Sequence, residues 1–329
     1  MTLHHPHPRR PGLRTTLSPI AVAAALAVAP LAFGAPQGGQ VVGGQASITQ
    51  SGSTTTINQS SNRAAIDWQS FNVGAGETVR FQQPGRDSVT LNRVVGNDAS
   101  AIFGRISADG QVLLINRNGI LFGRSAQVDV GGLVASTANI ATADFMAGRM
   151  VFSEPGKPGA TVRNEGTITV GEGGFAALVG RGVENSGVIQ ARLGKVTLAA
   201  GEAFVLDPYG DKLVNLIVDP AAMQQLRDAQ GQPLAARVDH SGRIVADGGT
   251  VQLTASTVKQ LVDGIINVSG TIRATSFETA PGRISLRGDA GTRLTLSGEL
   301  DASGVYGGRV ELTAREVALA ASARIDASG

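Results

Sequence analysis

Four segments of the chain alternate apolar with polar or small residues in the same phase. They are "LGKVTLAA" (193–200), "GGTVQLTA" (248–255), "PGRISLRG" (281–288) and "GGRVELTA" (307–314), with apolar pairs Val196/Leu198, Val251/Leu253, Ile284/Leu286 and Val310/Leu312. A period of two places each pair on one face of a strand, so every segment predicts a short, half-buried strand after a glycine turn. A second set, "EGTITV", "SGVIQA", "SGRIVA", "SGTIRA", "SGELDA" and "SARIDA", puts glycine at 166, 187, 242, 270 and 298, with Ala323 in the sixth. The steps are 21, 55, 28, 28 and 25 residues. No unit buries its apolar residues alone, and two or three short strands per repeat predict an all-β fold, a parallel β-helix whose coils stack on their neighbours. An antiparallel sandwich or propeller is the alternative. Paired two-residue hairpin turns are scarce, however, and the repeat is shorter than a propeller blade of about 40–50 residues.

The N-terminal third lacks this repeat. Its strands "ASITQSG", "TTTINQ" and "ETVRFQQ" are interrupted by Asn, Ser and Gly and predict a non-repetitive β cap on the open end of the solenoid. Trp68 and Phe71, in "AAIDWQSFNVG" (64–74), are expected as buried anchors of that cap. The long step contains "KLVNLIV" (212–218), read as a strand. The helix candidate "DPAAMQQLRDAQG" (219–231) follows, with Asp219 as N-cap, Pro220 at N1 and Gly231 as terminator. Residues 206–236 are therefore expected as an insertion between coils, with further repeats over 237–329.

Residues 1–34 change the picture of charge and compartment. Arg9, Arg10 and Arg14 precede an apolar run from Ile20 to Phe33 that ends in Ala32-Phe33-Gly34, the pattern of a secretory signal peptide cleaved before Ala35-Pro36. The run is too short for a retained anchor, and Pro11-Gly12 argues against a twin-arginine signal, so the general secretion machinery is the expected first partner. Losing three arginines and no acid takes the net charge from +2 to −1, so basicity is no argument for nucleic acid. His4, His5 and His7 leave too, and His240 remains. With no cysteine, an exported chain has neither disulfides nor thiol chemistry, and its stability rests on burial and hydrogen bonds.

Candidate chemistry is sparse. A β-helical polysaccharide lyase or pectinase needs clustered carboxylates or a basic group on one face. Asp87, Asp98, Asp109 and Asp129 are scattered beside glycine or serine and read as turn formers. His240, in "VDHSGRIVA", takes the position held by asparagine in "VENSG" and valine in "NVSG", and reads as a variable outward side chain. Glycine- and aspartate-rich calcium repeats are missing. The expectation is a non-enzyme with no catalytic residue, cofactor or metal.

The stretch "VVGGQASITQSGSTTTINQSSNRAAIDWQSFNVGAGETVRFQQP", then "LNRVVGNDASAIFGRISADGQVLLINRNGILFG" and "VGGLVASTANI", resembles the haemagglutination-activity domain of the filamentous-haemagglutinin family. These are the large secreted partners of two-partner secretion systems. The resemblance is nearest the high-molecular-weight adhesin branch and runs from about Val41 to Ala203, placing that domain at 35–205. It implies a right-handed parallel β-helix, export through a dedicated outer-membrane barrel transporter with periplasmic domains, and folding outside a Gram-negative-type cell. It also implies a surface or released adhesin or haemagglutinin meeting host surface glycans or receptors. A cytolysin or contact-dependent toxin, or a β-helical carbohydrate-active enzyme, stays open beside it. The chain stops within a repeat at "ARIDASG", which reads as a fragment.

The family's Asn-Pro-Asn-Gly-Ile motif falls on Asn116, Arg117, Asn118, Gly119 and Ile120, with arginine replacing proline. Its Asn-Pro-Asn-Leu motif has no counterpart, and the nearest region, "LNRVVG" (91–96) with Asn92 and Arg93, follows the adhesin branch. Residues 116–119 suit a type I turn, in which proline is favoured at the second position but not required. Arg117→Pro is therefore expected to stabilise by roughly 0.4–1 kcal/mol through the entropy of the unfolded chain.

Overall fold

The structure, a computed structural model, describes residues 1–2, 34–201, 203–207, 214–217, 237–256 and 264–329. The chain divides into two compact units, Met1–Ala32 and Phe33–Gly329, and the fold is that of the second. Residues 3–33 of the expected leader (1–34) and the helix candidate at 219–231 lie outside the described residues, and of 212–218 the described strand is Val214–Ile217.

The second unit is a parallel β-helix whose coils each lay down strands on three faces. The first face stacks Ser100–Ile102, Ile120–Phe122, Thr161–Asn164, Gly182–Asn185, Arg237–His240, Gly264–Val268, Thr292–Leu296 and Glu316–Leu319 in parallel register. The second begins at Thr78–Gln82 and ends at Arg324–Asp326. The third begins at Arg63–Trp68 and ends at Arg309–Thr313. Arg105–Asn116 and Gln127–Ser136 run around the corner between the second and third faces, where the register slips between Val130 and Gly132.

Register turns alternation into a core. On the second face Val79, Ile106, Val128, Ile168, Ile189, Ile244, Ile272 and Leu300 stack coil on coil, none more than 2% exposed. Each such side chain contributes roughly 1.5–3 kcal/mol on leaving water, but only when a neighbouring coil covers it. The repeating glycines have an equally local cause. A Cβ at Gly187, Gly242, Gly270 or Gly298 would lie 2.0–2.2 Å from the carbonyl oxygen of the glycine one coil earlier, so this corner closes only without a side chain.

The cap uses antiparallel pairing. Ala46–Ser51 forms a hairpin with Thr54–Gln59, and Gln40–Gly43 pairs with Arg63–Trp68, before parallel stacking takes over. Trp68 and Phe71 are each 1% exposed and meet edge to face with centroids 5.5 Å apart.

A second apolar layer covers the outside of the third face and was not legible from the repeats. The short helix Thr142–Met146 and the antiparallel strands Val151–Phe152, Ala203–Leu206 and Val214–Ile217 leave the coils. Phe145, Met150, Phe152 and Phe204 pack on Leu113, Ile115, Val134 and Phe175. Phe152 and Phe204 stack at 4.1 Å. One helical turn has no periodicity to detect; this one is held by burial of Phe145 and has no side-chain N-cap.

Two expectations are corrected. Asp129 lies within a strand, on the outer surface beside Arg105, whereas Asp109 sits at the corner where the ladder passes from Ala108 to Gln111. His240 points inward and is 1% exposed. Register places it in one row with Asn164 and Asn185, after Phe122 and before Val268. Asn164 donates to Asn185 Oδ1 at 2.8 Å, Asn185 donates to His240 Nδ1 at 3.0 Å, and His240 Nε2–H donates to the Thr271 carbonyl at 3.1 Å. This polar ladder requires a neutral imidazole.

Burial pushes the His240 imidazole below its ordinary value of 6.5, against the opposing bonds to Thr271 and Asn185. The unfolded chain binds a proton near that ordinary value, whereas the folded chain resists it. His240's contribution is therefore full above pH 6.5 and declines as the pH falls toward the folded value, where it levels off. We expect His240→Asn, which continues the ladder, to show a smaller fall in melting temperature than wild type between about pH 7 and pH 5. Parallel slopes for the two proteins would show that this imidazole does not couple to folding.

Candidate functional site

Asn116 ends a third-face strand, beside Val94 in register, and is fully buried. Its Oδ1 accepts from the Asn118 backbone N–H at 2.9 Å and from Asn118 Nδ2 at 2.8 Å. Its Nδ2 donates to the Asp98 carbonyl at 2.9 Å and to Ser100 Oγ at 3.0 Å. Gly119 N–H closes the turn on the Asn116 carbonyl at 3.0 Å, and the Gly119 carbonyl accepts from Ser100 N–H. Gly119 holds φ at +119°, where a Cβ would also press on the Thr161 carbonyl at 3.2 Å. Ile120 opens the first-face strand Ile120–Phe122 and is 2% exposed.

The turn is thus clamped from both sides. Asn118 Nδ2 reaches back to the Gly96 carbonyl at 3.0 Å, while the Arg117 carbonyl accepts from Lys157 N–H at 2.8 Å. Arg117 Nε donates to the Pro155 carbonyl at 3.0 Å. That last bond revises the effect expected for proline at 117. The entropic gain remains, but an exposed bond of roughly 0.5–1.5 kcal/mol is lost. We expect Arg117→Pro to leave the unfolding free energy between about 1 kcal/mol lower and about 0.5 kcal/mol higher, measured in urea.

Asn92 and Arg93 lie one coil below the turn. Asn92 is fully buried and accepts from Trp68 Nε1 at 3.1 Å. Arg93 grips Asp67, its register neighbour, with Nε–Oδ1 at 2.8 Å and Nη2–Oδ2 at 3.0 Å. It also donates to the Ile140 carbonyl and to Thr142 Oγ1, fixing the start of the short helix. The sequence indicated Arg93 but neither Asp67 nor Thr142, since those partners are fixed only by register and insertion packing.

These residues surround an open cleft of about 410 Å³, into which Arg93, Arg117 and Asn118 converge with Asp67, Asn139 and Lys157. Trp68, Phe71 and Asn92 lie in the core behind it. Among the described residues no group of three His, Asp or Glu side chains is placed to hold a metal.

A capped parallel β-helix whose early coils are clamped by an Asn-x-Asn-Gly turn is the architecture of a β-helical secretion domain. The chain belongs to the TPS secretion domain family, whose model matches residues 32–302, and is the secretion domain of an exoprotein of a two-partner system. It is 30% identical over 260 residues to a heme/hemopexin-binding protein of Haemophilus influenzae, covering 77% of this chain and 27% of that protein. A second Haemophilus influenzae protein of that description is 44% identical over 85 residues, 26% of this chain and 9% of the relative. The chain thus spans about a quarter or less of the curated relatives it matches. The crystal structure of the HMW1 secretion domain from Haemophilus influenzae superposes with a TM-score of 0.71 at 28% identity, covering 89% of this chain and 84% of that one. Exoproteins of this family are secreted across the outer membrane of Gram-negative bacteria.

Proposed function

We propose that this domain brings its exoprotein to a dedicated outer-membrane barrel transporter, and that the exported product acts as a non-enzymatic adhesin or haemagglutinin at the cell surface or in the medium. The clamped turn at 116–119 carries the reading. It joins three consecutive chain levels, the 96–100 loop, the turn and the 155–157 loop, in the coils next to the cap, where a helix growing coil by coil needs its first stable unit. The non-enzymatic part rests on how the charged groups are spent. Outer-face acids pair with arginines of neighbouring coils, as in Arg163–Glu184 and Arg287–Glu311, a solvated surface and not a convergent carboxylate pair.

Similarity to the heme/hemopexin-binding proteins favours a second reading, capture of haem or its carrier by the exoprotein. His240, the one histidine among the described residues, has both ring nitrogens bonded in the ladder, so this reading places any histidine ligand outside them. Exported product is the material to assay. Agglutination of erythrocytes without retention on hemin-agarose is the outcome expected from the first reading, and the reverse pattern replaces it with the second.

A further inference from the structure

The turn holds Asn118 beside the one neighbour able to attack it. Residues 118–119 are the single Asn-Gly pair of the sequence; every other asparagine precedes a residue with a side chain. In an open chain glycine leaves its backbone nitrogen unshielded, so that nitrogen reaches the amide carbon of the asparagine before it. The closed turn obstructs this at three atoms. Gly119 N–H, the nucleophile, donates to the Asn116 carbonyl at 3.0 Å. Asn118 Nδ2, the leaving nitrogen, must gain a proton to depart as ammonia, yet its partners are all acceptors: the Gly96 and Asp98 carbonyls at 3.0 and 3.3 Å and Asn116 Oδ1 at 2.8 Å. Asn118 Oδ1, where negative charge develops during attack, is buried without a hydrogen-bond donor among the described residues. An oxyanion without a donor is the reverse of the arrangement that speeds attack on a carbonyl.

We propose that Asn118 is a deamidation site of the unfolded chain, and that closing the turn shuts the reaction off. The Gly119 nitrogen bonds to Asn118 Cγ, the Cγ–Nδ2 bond breaks, and ammonia leaves with the proton that Gly119 gave up. Water then opens the cyclic imide at either carbonyl, giving aspartate or isoaspartate at this position. Neither product restores the clamp. Aspartate sets a carboxylate against the acceptors that Nδ2 satisfies, and isoaspartate adds a methylene to the backbone of the turn. For an exported chain this sets a time limit between synthesis and closure of the turn. That consequence rests on the export reading above, whereas the chemistry does not.

The test incubates the mature chain at mildly alkaline pH, once in buffer and once in unfolding urea, and follows each asparagine by mass in peptides digested in acid. In urea, Asn118 is expected to convert faster than every other asparagine. In buffer its conversion is expected to be slower by about tenfold or more, because the folded site reacts only through opening. Gly119→Ala, measured only in urea so that its folding does not matter, is expected to slow the conversion. Wild type aged in urea and then refolded should melt earlier than a fresh sample, in step with the fraction of Asn118 converted. No selective conversion in urea, equal rates in the two media, an undiminished rate in Gly119→Ala, or an unchanged melting temperature after conversion overturns the proposal.

Discussion

Asn116→Lys is expected to remove most of the protein from the medium and to destabilise what is made by about 3–5 kcal/mol. The side chain is fully buried and makes four hydrogen bonds, two as donor and two as acceptor. Lysine accepts none, so the Asn118 N–H loses its partner, and an ammonium is placed where no carboxylate pairs with it. Asn118→Lys should cost less, because that residue is only partly buried, yet it still frees the Gly96 carbonyl. Asn116→Asp separates shape from chemistry: it keeps the acceptor and loses both donors. Urea unfolding alongside quantification of exported protein should rank the three as Asn116→Lys most severe and Asn118→Lys least. Normal export of both lysine variants would remove the motif's role.

The second large effect belongs to the cap. Trp68→Ala should cost about 3–5 kcal/mol, the range for deleting a large buried aromatic. Its ring contacts Phe71 and backs directly on Gly39, where a Cβ would lie 2.6 Å from the indole. Trp68→Phe keeps most of that packing but strands Asn92 Oδ1, for roughly 1–3 kcal/mol. If helix growth starts at the cap, both variants lower the export yield in proportion to lost stability. A Trp68→Ala protein with unchanged urea midpoint would show that the cap does not set the stability of the stack.

Much of this fold was legible because parallel stacking repeats one alternation at every level. Val196, Val251 and Ile284 share a phase in the sequence and a column in the structure. The same logic contained the answer for His240. Val183, Val238 and Ile266 set the inward phase of their strands, so Asn185, His240 and Val268, two residues on, also point inward. The variety of residues at that position, asparagine, histidine and valine, suggests exposure, whereas a ladder satisfies buried polar groups coil by coil. The turn was legible from Asn116, Asn118 and Gly119 alone. Its clamps were not, because Asp98, Ser100 and Pro155 contribute backbone or a hydroxyl whose direction only register fixes. The Asp67–Arg93 pair and the layer around Phe145 depend on contacts across insertions, where no period guides the eye.

Proposed export by a dedicated transporter, with the clamped turn as the unit on which the helix builds, makes release of the chain depend on that transporter. Producing the chain in a Gram-negative host with and without the outer-membrane barrel transporter, and quantifying protein in the medium at matched synthesis, tests it most directly. Wild-type protein is expected in the medium only when the transporter is present, and Asn116→Lys protein is expected to stay with the cells even then. Equal release of the wild type without the transporter would contradict it.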